Sequence, residues 1–119
     1  MSKGSAGATP PTSQSRRYPR YRYDVRVRVS VFRDGTTCEY WGRSNELALD
    51  GVGATFTGEL EVGEVVSLEF PIPLPPRTVK LRAIVRYSQG MRCGCEFLVV
   101  SEEQRDVMQR VCEMLARTS

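Results

Sequence analysis

The sequence predicts an all-β fold: a six-stranded antiparallel β-barrel with one C-terminal α-helix packed on it. Three observations carry that expectation. Short runs rich in β-branched residues alternate apolar and polar side chains, the period of a half-buried strand. Turn signals separate these runs every 8–14 residues, as in antiparallel barrels and sandwiches. Only after Val100 does the apolar period change to three and four residues.

The first strand spans Asp24 to Phe32, with Val25, Val27, Val29 and Val31 on one face and Arg26, Arg28 and Ser30 on the other. Asp34-Gly35 marks a tight hairpin turn. Thr36 to Trp41 returns as a strand, and Gly42 reads as a bulge or bend. Glu46 to Phe56 is two short apolar runs broken by Asp50-Gly51, where the backbone must turn or approach something closely. Glu64 to Phe70 is a further strand, ended by Pro71, Pro73, Pro75 and Pro76 in an extended connection. Thr78 to Tyr87 alternates again, Ser88-Gln89-Gly90 turns the chain, and Met91 to Val100 is the last strand. Ser101-Glu102-Glu103-Gln104 is a capping box that opens a helix. Val107, Met108, Val111, Met114 and Leu115 then form an apolar stripe suited to lying across the barrel.

At 119 residues the chain is one domain with enough residues to bury a core. The expected layout is a tail over 1–15 and a domain over 16–117, comprising an arm (16–23), a barrel (24–100) and a helix (102–116). No run of about 18 apolar residues is present, so no membrane-spanning helix is expected. The tail lacks an apolar signal core, which gives a cytoplasmic expectation. Residues 1–33 carry eight basic side chains against one acid, and the remainder nine basic against thirteen acidic. Positive charge gathered at one end favours an anionic ligand there. Cys38, Cys93, Cys95 and Cys112 are expected as reduced thiols, with Cys93 and Cys95 as small core hydrophobes. The chain has no histidine, no second cysteine pair and no nucleophile–base pair at readable spacing, so neither a metal site nor an enzyme is expected.

The densest chemistry lies in the arm. Arg16, Arg17, Arg20 and Arg22 are interleaved with Tyr18, Tyr21 and Tyr23 in eight residues. Arginine presents a planar fork of donors that fits phosphate oxygens or the O6/N7 edge of guanine, and its flat face stacks on bases. Such a tract is either an anion-reading or guanine-reading arm, or a solvated basic linker.

These features together resemble the PilZ domain, a bacterial receptor for cyclic di-GMP. The likeness runs from about Arg16 to Leu115. Arg16 and Arg20 match the family's Arg-x-x-x-Arg signature, and Arg17 matches an extra arginine often found between them. Cys93-Gly94-Cys95-Glu96-Phe97 is similar to the family's last strand. The second family motif, Asp/Asn-x-Ser-x-x-Gly, falls on Glu46 to Gly51: Gly51 is kept, Glu46 replaces the acid or amide, and Ala48 replaces the serine. Asn45 is the right residue type one position early. The resemblance implies a ligand, cyclic di-GMP, rather than a cofactor. It also implies an arm that closes over the nucleotide to signal to a protein partner, which makes the chain an adaptor. By that likeness Arg16, Arg17, Arg20, Glu46 and Gly51 are the binding residues, and Asn45, Ala48, Tyr18 and Tyr87 are further candidates. Loss of the hydroxyl at Ala48 removes one hydrogen bond of roughly 0.5–1.5 kcal/mol, about a three- to tenfold weaker site. Two alternatives stand beside this reading. One is a PilZ-like module that no longer binds the nucleotide and works through protein contacts. The other is a single-stranded nucleic-acid binder, disfavoured by the acidic balance of the barrel half.

Overall fold

Seven strands and one helix make up the computed structural model of the protein, which describes residues 18–98 and 100–118. The expected tail, together with Arg16 and Arg17, lies outside the described residues. In chain order the elements are β1 (Tyr21–Arg22), β2 (Arg26–Arg33), β3 (Thr36–Ala48), β4 (Gly51–Phe56), β5 (Val65–Pro71), β6 (Thr78–Gln89), β7 (Arg92–Phe97) and α1 (Glu102–Thr118). Six of the strands run in the order β3-β2-β5-β6-β7-β4, and β4 pairs back onto β3 to close a barrel. The short strand β1 is an appendage on β3, pairing Tyr21 with Leu47 and Arg22 with Glu46.

The alternation in β2 works as the sequence requires. Val27, Val29 and Val31 enter the core while Arg26 and Phe32 face out. Asp34 and Gly35 both take positive φ, 49° and 77°, the mirror-image turn whose twist suits a two-residue hairpin. The turn expected at Asp50-Gly51 falls on Leu49 and Asp50, and Gly51 opens β4.

β3 corrects the expected chain path. The segments Thr36–Trp41 and Glu46–Leu49 are not separate: one 13-residue strand covers nearly all of both. Its first half pairs with β2, and its second half, from Gly42 onward, pairs with β4. Gly42 is neither a bulge nor a break but the point of closest approach. A Cβ there would stand 2.0 Å from the Thr55 carbonyl oxygen and 2.7 Å from a ring carbon of Phe56. The bulge comes at Asn45, where the β3–β4 register slips between Ser44 and Glu46. Ser44, two residues on from inward-facing Gly42, is fully buried, accepting from the Val25 amide at 3.0 Å and donating to the Tyr23 carbonyl.

The core runs from Val27, Val29 and Leu47 through Phe56, Leu68, Phe70 and Val85 to Val107, Met108 and Val111 of α1. The capping box forms in both directions: the Gln104 amide donates to Ser101 Oγ (3.1 Å), and the Ser101 amide donates to Gln104 Oε1 (3.3 Å). Gln104 Nε2 also donates to the Lys80 carbonyl (3.0 Å), which ties the start of α1 to β6. The helix covers the barrel beside β1 and runs two residues past its expected end. Cys93 and Cys95 pack inward, and burial pushes the Cys95 thiol up to about 12. All four cysteines are free thiols.

Two outcomes follow from this packing. Gly42→Ala places a methyl against the Thr55 backbone, so it should cost about 1–3 kcal/mol and lower the thermal midpoint by several degrees. A maleimide label at neutral pH should reach Cys93 and Cys95 only in denaturant, because both are buried and protonated. Labelling of either residue in the native protein would contradict the packing.

Candidate functional site

The arm meets the barrel at the C-terminal end of β3, and register determines what it meets. Across the wall, Arg22 pairs with Glu46, Glu46 with Gly53, Gly53 with Gly94, and Gly94 with Tyr87. Directly paired residues of antiparallel strands project to the same face. These five positions thus form one row on the outside of the barrel, crossing β1, β3, β4, β7 and β6. Its middle is bare. A Cβ added to Gly53 would approach nothing closer than 3.8 Å, and one added to Gly94 would touch only Tyr87, at 3.5 Å. The result is a shallow trough, floored by backbone and walled by Glu46 at one end and Tyr87 at the other. Three strand spacings separate these walls, about 14 Å.

Charge surrounds the trough. Arg20 Nη1 donates to Glu46 Oε1 at 3.0 Å, with both side chains more than two-fifths exposed. In the row on one side, Gly51 stands between Ala48 and Glu96, and Glu96 is paired with Arg86 Nε at 2.7 Å. In the row on the other side, Thr55 stands between Arg43 and Arg92. Tyr87, 41% exposed, donates its hydroxyl to Gln89 Oε1 at 2.7 Å, which orients the ring at the trough's far end. Arginine forks supply donors for anionic oxygens, the Glu46 carboxylate accepts from N–H groups, and bare backbone beside an aromatic ring admits a flat heterocycle.

The candidates from the sequence divide as follows. Arg20 and Glu46 are brought together, and Tyr87 faces them across the glycines. Asn45 is the bulged residue, half-buried, with its Oδ1 buried and without a partner; Glu46 takes the outward position. Ala48 is almost fully covered in the row next to Glu46. Gly51 is required by packing: a Cβ there would lie 2.4 Å from the Cys95 carbonyl oxygen, so strand β7 explains this glycine without any ligand. Tyr18 leans on the helix, its hydroxyl accepting from Arg105 Nη2 at 3.3 Å. The arm is partly fixed. The Tyr23 amide donates to the Asn45 carbonyl (3.1 Å) and the Tyr23 hydroxyl to the Pro71 carbonyl (2.9 Å).

Arg22, named in the arm, Gly94, named in the last strand, and Gly53 also belong to this surface, though none is among the binding residues expected from the sequence. Arg22 was within reach, because alternation from Arg20 puts both arginines on one face. The two glycines become a floor only through a four-strand register. Among the described residues of the basic start, three arginines already have acidic partners: Arg20 has Glu46, and two more lie in β2. Arg28 pairs with Glu69, Arg33 with Glu64, and Arg43 with Asp24. Among the described residues no group of histidine, cysteine or acidic side chains is placed to hold a metal ion, and no helix is long and apolar enough to cross a membrane.

Solved structures share this architecture. The PilZ domain of YcgR from Escherichia coli, solved with c-di-GMP, superposes with a TM-score of 0.67 at 20% identity, covering 87% of this chain and 92% of that one. The PilZ domain of CeSA from a cellulose-synthesizing bacterium gives a TM-score of 0.63 at 16% identity, covering 81% and 97%. MotI/DgrA, an inhibitor of motility from Bacillus subtilis, gives 0.67 at 16% identity over 87% of this chain, which spans 52% of that protein. At these identities the likeness shows the fold alone. No curated protein matches the chain. The family itself is shown by the sequence: the PilZ domain family model matches residues 14–114, nearly the whole length, and the chain belongs to the PilZ domain family.

Proposed function

We propose that the protein is a cytoplasmic receptor for cyclic di-GMP, working as an adaptor whose arm closes over the nucleotide. The observation that carries this reading is the meeting of Arg20 and Glu46 at one end of a side-chain-free trough that Tyr87 closes at the other. Cyclic di-GMP has two phosphates and two guanines, so it calls for cations, carbonyl-edge donors, an acceptor for guanine N1 and N2, and a flat surface. Arg16, Arg17, Arg20 and Arg22 supply the first two, Glu46 the third, and the Gly53–Gly94 floor with Tyr87 the last. The YcgR neighbour, solved with c-di-GMP, supports the choice of ligand.

The Arg20–Glu46 pair does not bar this role. Exposed ion pairs are worth about 0–1 kcal/mol, so a dinucleotide offering charge-assisted bonds of roughly 1.5–3 kcal/mol each can part them. Tyr21 to Tyr23 are already hydrogen-bonded to the barrel, so closure belongs to the residues before Tyr21. Fixing a residue costs on the order of 1–2 kcal/mol, and closure exchanges the Tyr18–Arg105 and Arg20–Glu46 contacts for contacts with the nucleotide.

A second reading, a PilZ domain working through protein contacts alone, draws on Ala48 and on the fact that Arg20 already has a partner in Glu46. Calorimetric titration with cyclic di-GMP separates the two. The parent should bind with a dissociation constant in the micromolar range. Arg16→Ala and Arg20→Ala should each weaken binding by about tenfold to a hundredfold, the loss of charge-assisted bonds. No heat from the parent at high ligand concentration would leave the protein-contact reading in its place.

A further inference from the structure

We propose that the opposite end of the barrel docks a cationic, apolar segment of a protein partner, independently of the nucleotide. This end carries exposed large apolar side chains. Phe32 is 71% exposed, Val62 63% and Val65 43%. Register brings Phe32 and Val65 together, and Val62 lies in the turn that leads into β5. Val31 pairs with Val66, so Phe32 and Val65 come next in the same row, and Val65 pairs with half-buried Ile84. Scattered exposed hydrophobes need no explanation, but a contiguous group at one corner marks an interaction surface.

The corner is also acidic and held firm. A cavity of about 450 Å³ beside these residues is lined by Arg33, Asp34, Glu59, Glu61 and Glu64. Arg33 grips Glu64 with two hydrogen bonds, Nε to Oε2 at 2.7 Å and Nη2 to Oε1 at 2.6 Å. It also donates to the Tyr40 hydroxyl (3.2 Å) and the Glu59 carbonyl (3.0 Å). The guanidinium beside Glu64 holds that carboxyl below its usual range. Arg33 is thus spent on Glu64, while Asp34, Glu59 and Glu61 have no ion pair among the described residues. Apolar and acidic positions interleave along the chain, Phe32 before Asp34 and Val62 between Glu61 and Glu64.

Charge selects the occupant. A second copy would set three unpaired carboxylates against three more. The chain's own first 17 residues are basic but contain no large apolar residue apart from Met1. A partner segment with lysine or arginine among large apolar side chains satisfies both halves of the surface. The surface lies at the Thr36 end of β3 and the arm at the Glu46 end, roughly 30 Å apart along the strand; the trough's far wall, Tyr87, stands nearer, two residues along β6 from Val85, whose carbonyl accepts from the Gly63 amide. Docking can therefore persist while the arm responds to ligand.

The test uses the isotope-labelled full chain, followed by nuclear magnetic resonance, and three synthetic peptides: leucine and lysine at helical spacing, a twin with glutamate for lysine, and a twin with serine for leucine. The leucine–lysine peptide should shift the amides of Phe32, Asp34, Glu61, Val62 and Val65 saturably, with or without cyclic di-GMP, and both twins should bind far more weakly. Phe32→Ser and Val62→Ser, both at exposed positions, should each weaken binding by about tenfold without changing the melt or the nucleotide titration. The proposal fails if the leucine–lysine peptide gives no saturable shifts, if the shifts map to the arm or α1, or if the serine twin binds as tightly. Self-association of the free chain that Phe32→Ser abolishes would assign the corner to a second copy instead.

Discussion

The architecture depends on the close approach of β3 and β4 at Gly42. Only a residue without a side chain lets the Thr55 carbonyl and the Phe56 ring come so near. Because they do, one 13-residue strand pairs with β2 along its first half and β4 along its second, and the sheet closes. Closure removes the open edges that an antiparallel sheet otherwise exposes. It also places the two ends of β3 at opposite ends of the barrel. One carries the Asp34-Gly35 hairpin and the other receives the arm. The bulge at Asn45, three residues beyond the pinch, turns Glu46 out beneath Arg20 and returns Leu47 to the core.

The trough is soft where it meets the arm and stiff elsewhere. Its floor is the paired backbone of β4 and β7, and no side chain must move to clear it. Its charged end is an exposed ion pair, which contributes little to stability and is cheaply rearranged. Rigid strands keep the floor and Tyr87 in place, and the exposed Arg20–Glu46 pair is the contact most easily rearranged. The Arg33–Glu64 corner is different: a two-pronged pair with side chains less than a third exposed, held additionally by Tyr40 and the Glu59 carbonyl. Rigidity there suits a docking surface that is always presented.

Much of this was readable from local pattern. The alternating valines of β2, the Asp34-Gly35 turn and the reciprocal Ser101–Gln104 cap each depend on residues within a few positions, so their periods and turn chemistry survive in the sequence. Gly42 was misleading because the atoms that require it, at Thr55 and Phe56, lie more than a dozen residues away. At Gly51 the sequence context allowed a turn or a close approach; the glycine makes the close approach, and its partner, the Cys95 carbonyl, lies far along the chain. Which of Asn45 and Glu46 faces outward follows from a one-residue register slip that composition does not encode. Gly53 and Gly94 gained meaning only once four strands were aligned, whereas Arg22 could have been found by counting two from Arg20.

The central claim is that one row of the barrel wall, from the arm to Tyr87, is a single binding surface. Amide shifts of the labelled chain on addition of cyclic di-GMP test it most directly. The account predicts that Arg22, Glu46, Gly53, Gly94 and Tyr87 shift together along one saturation curve, with the hairpin at Asp34-Gly35 unmoved. Saturable shifts that bypass Gly53 and Gly94, or none at all, would contradict it.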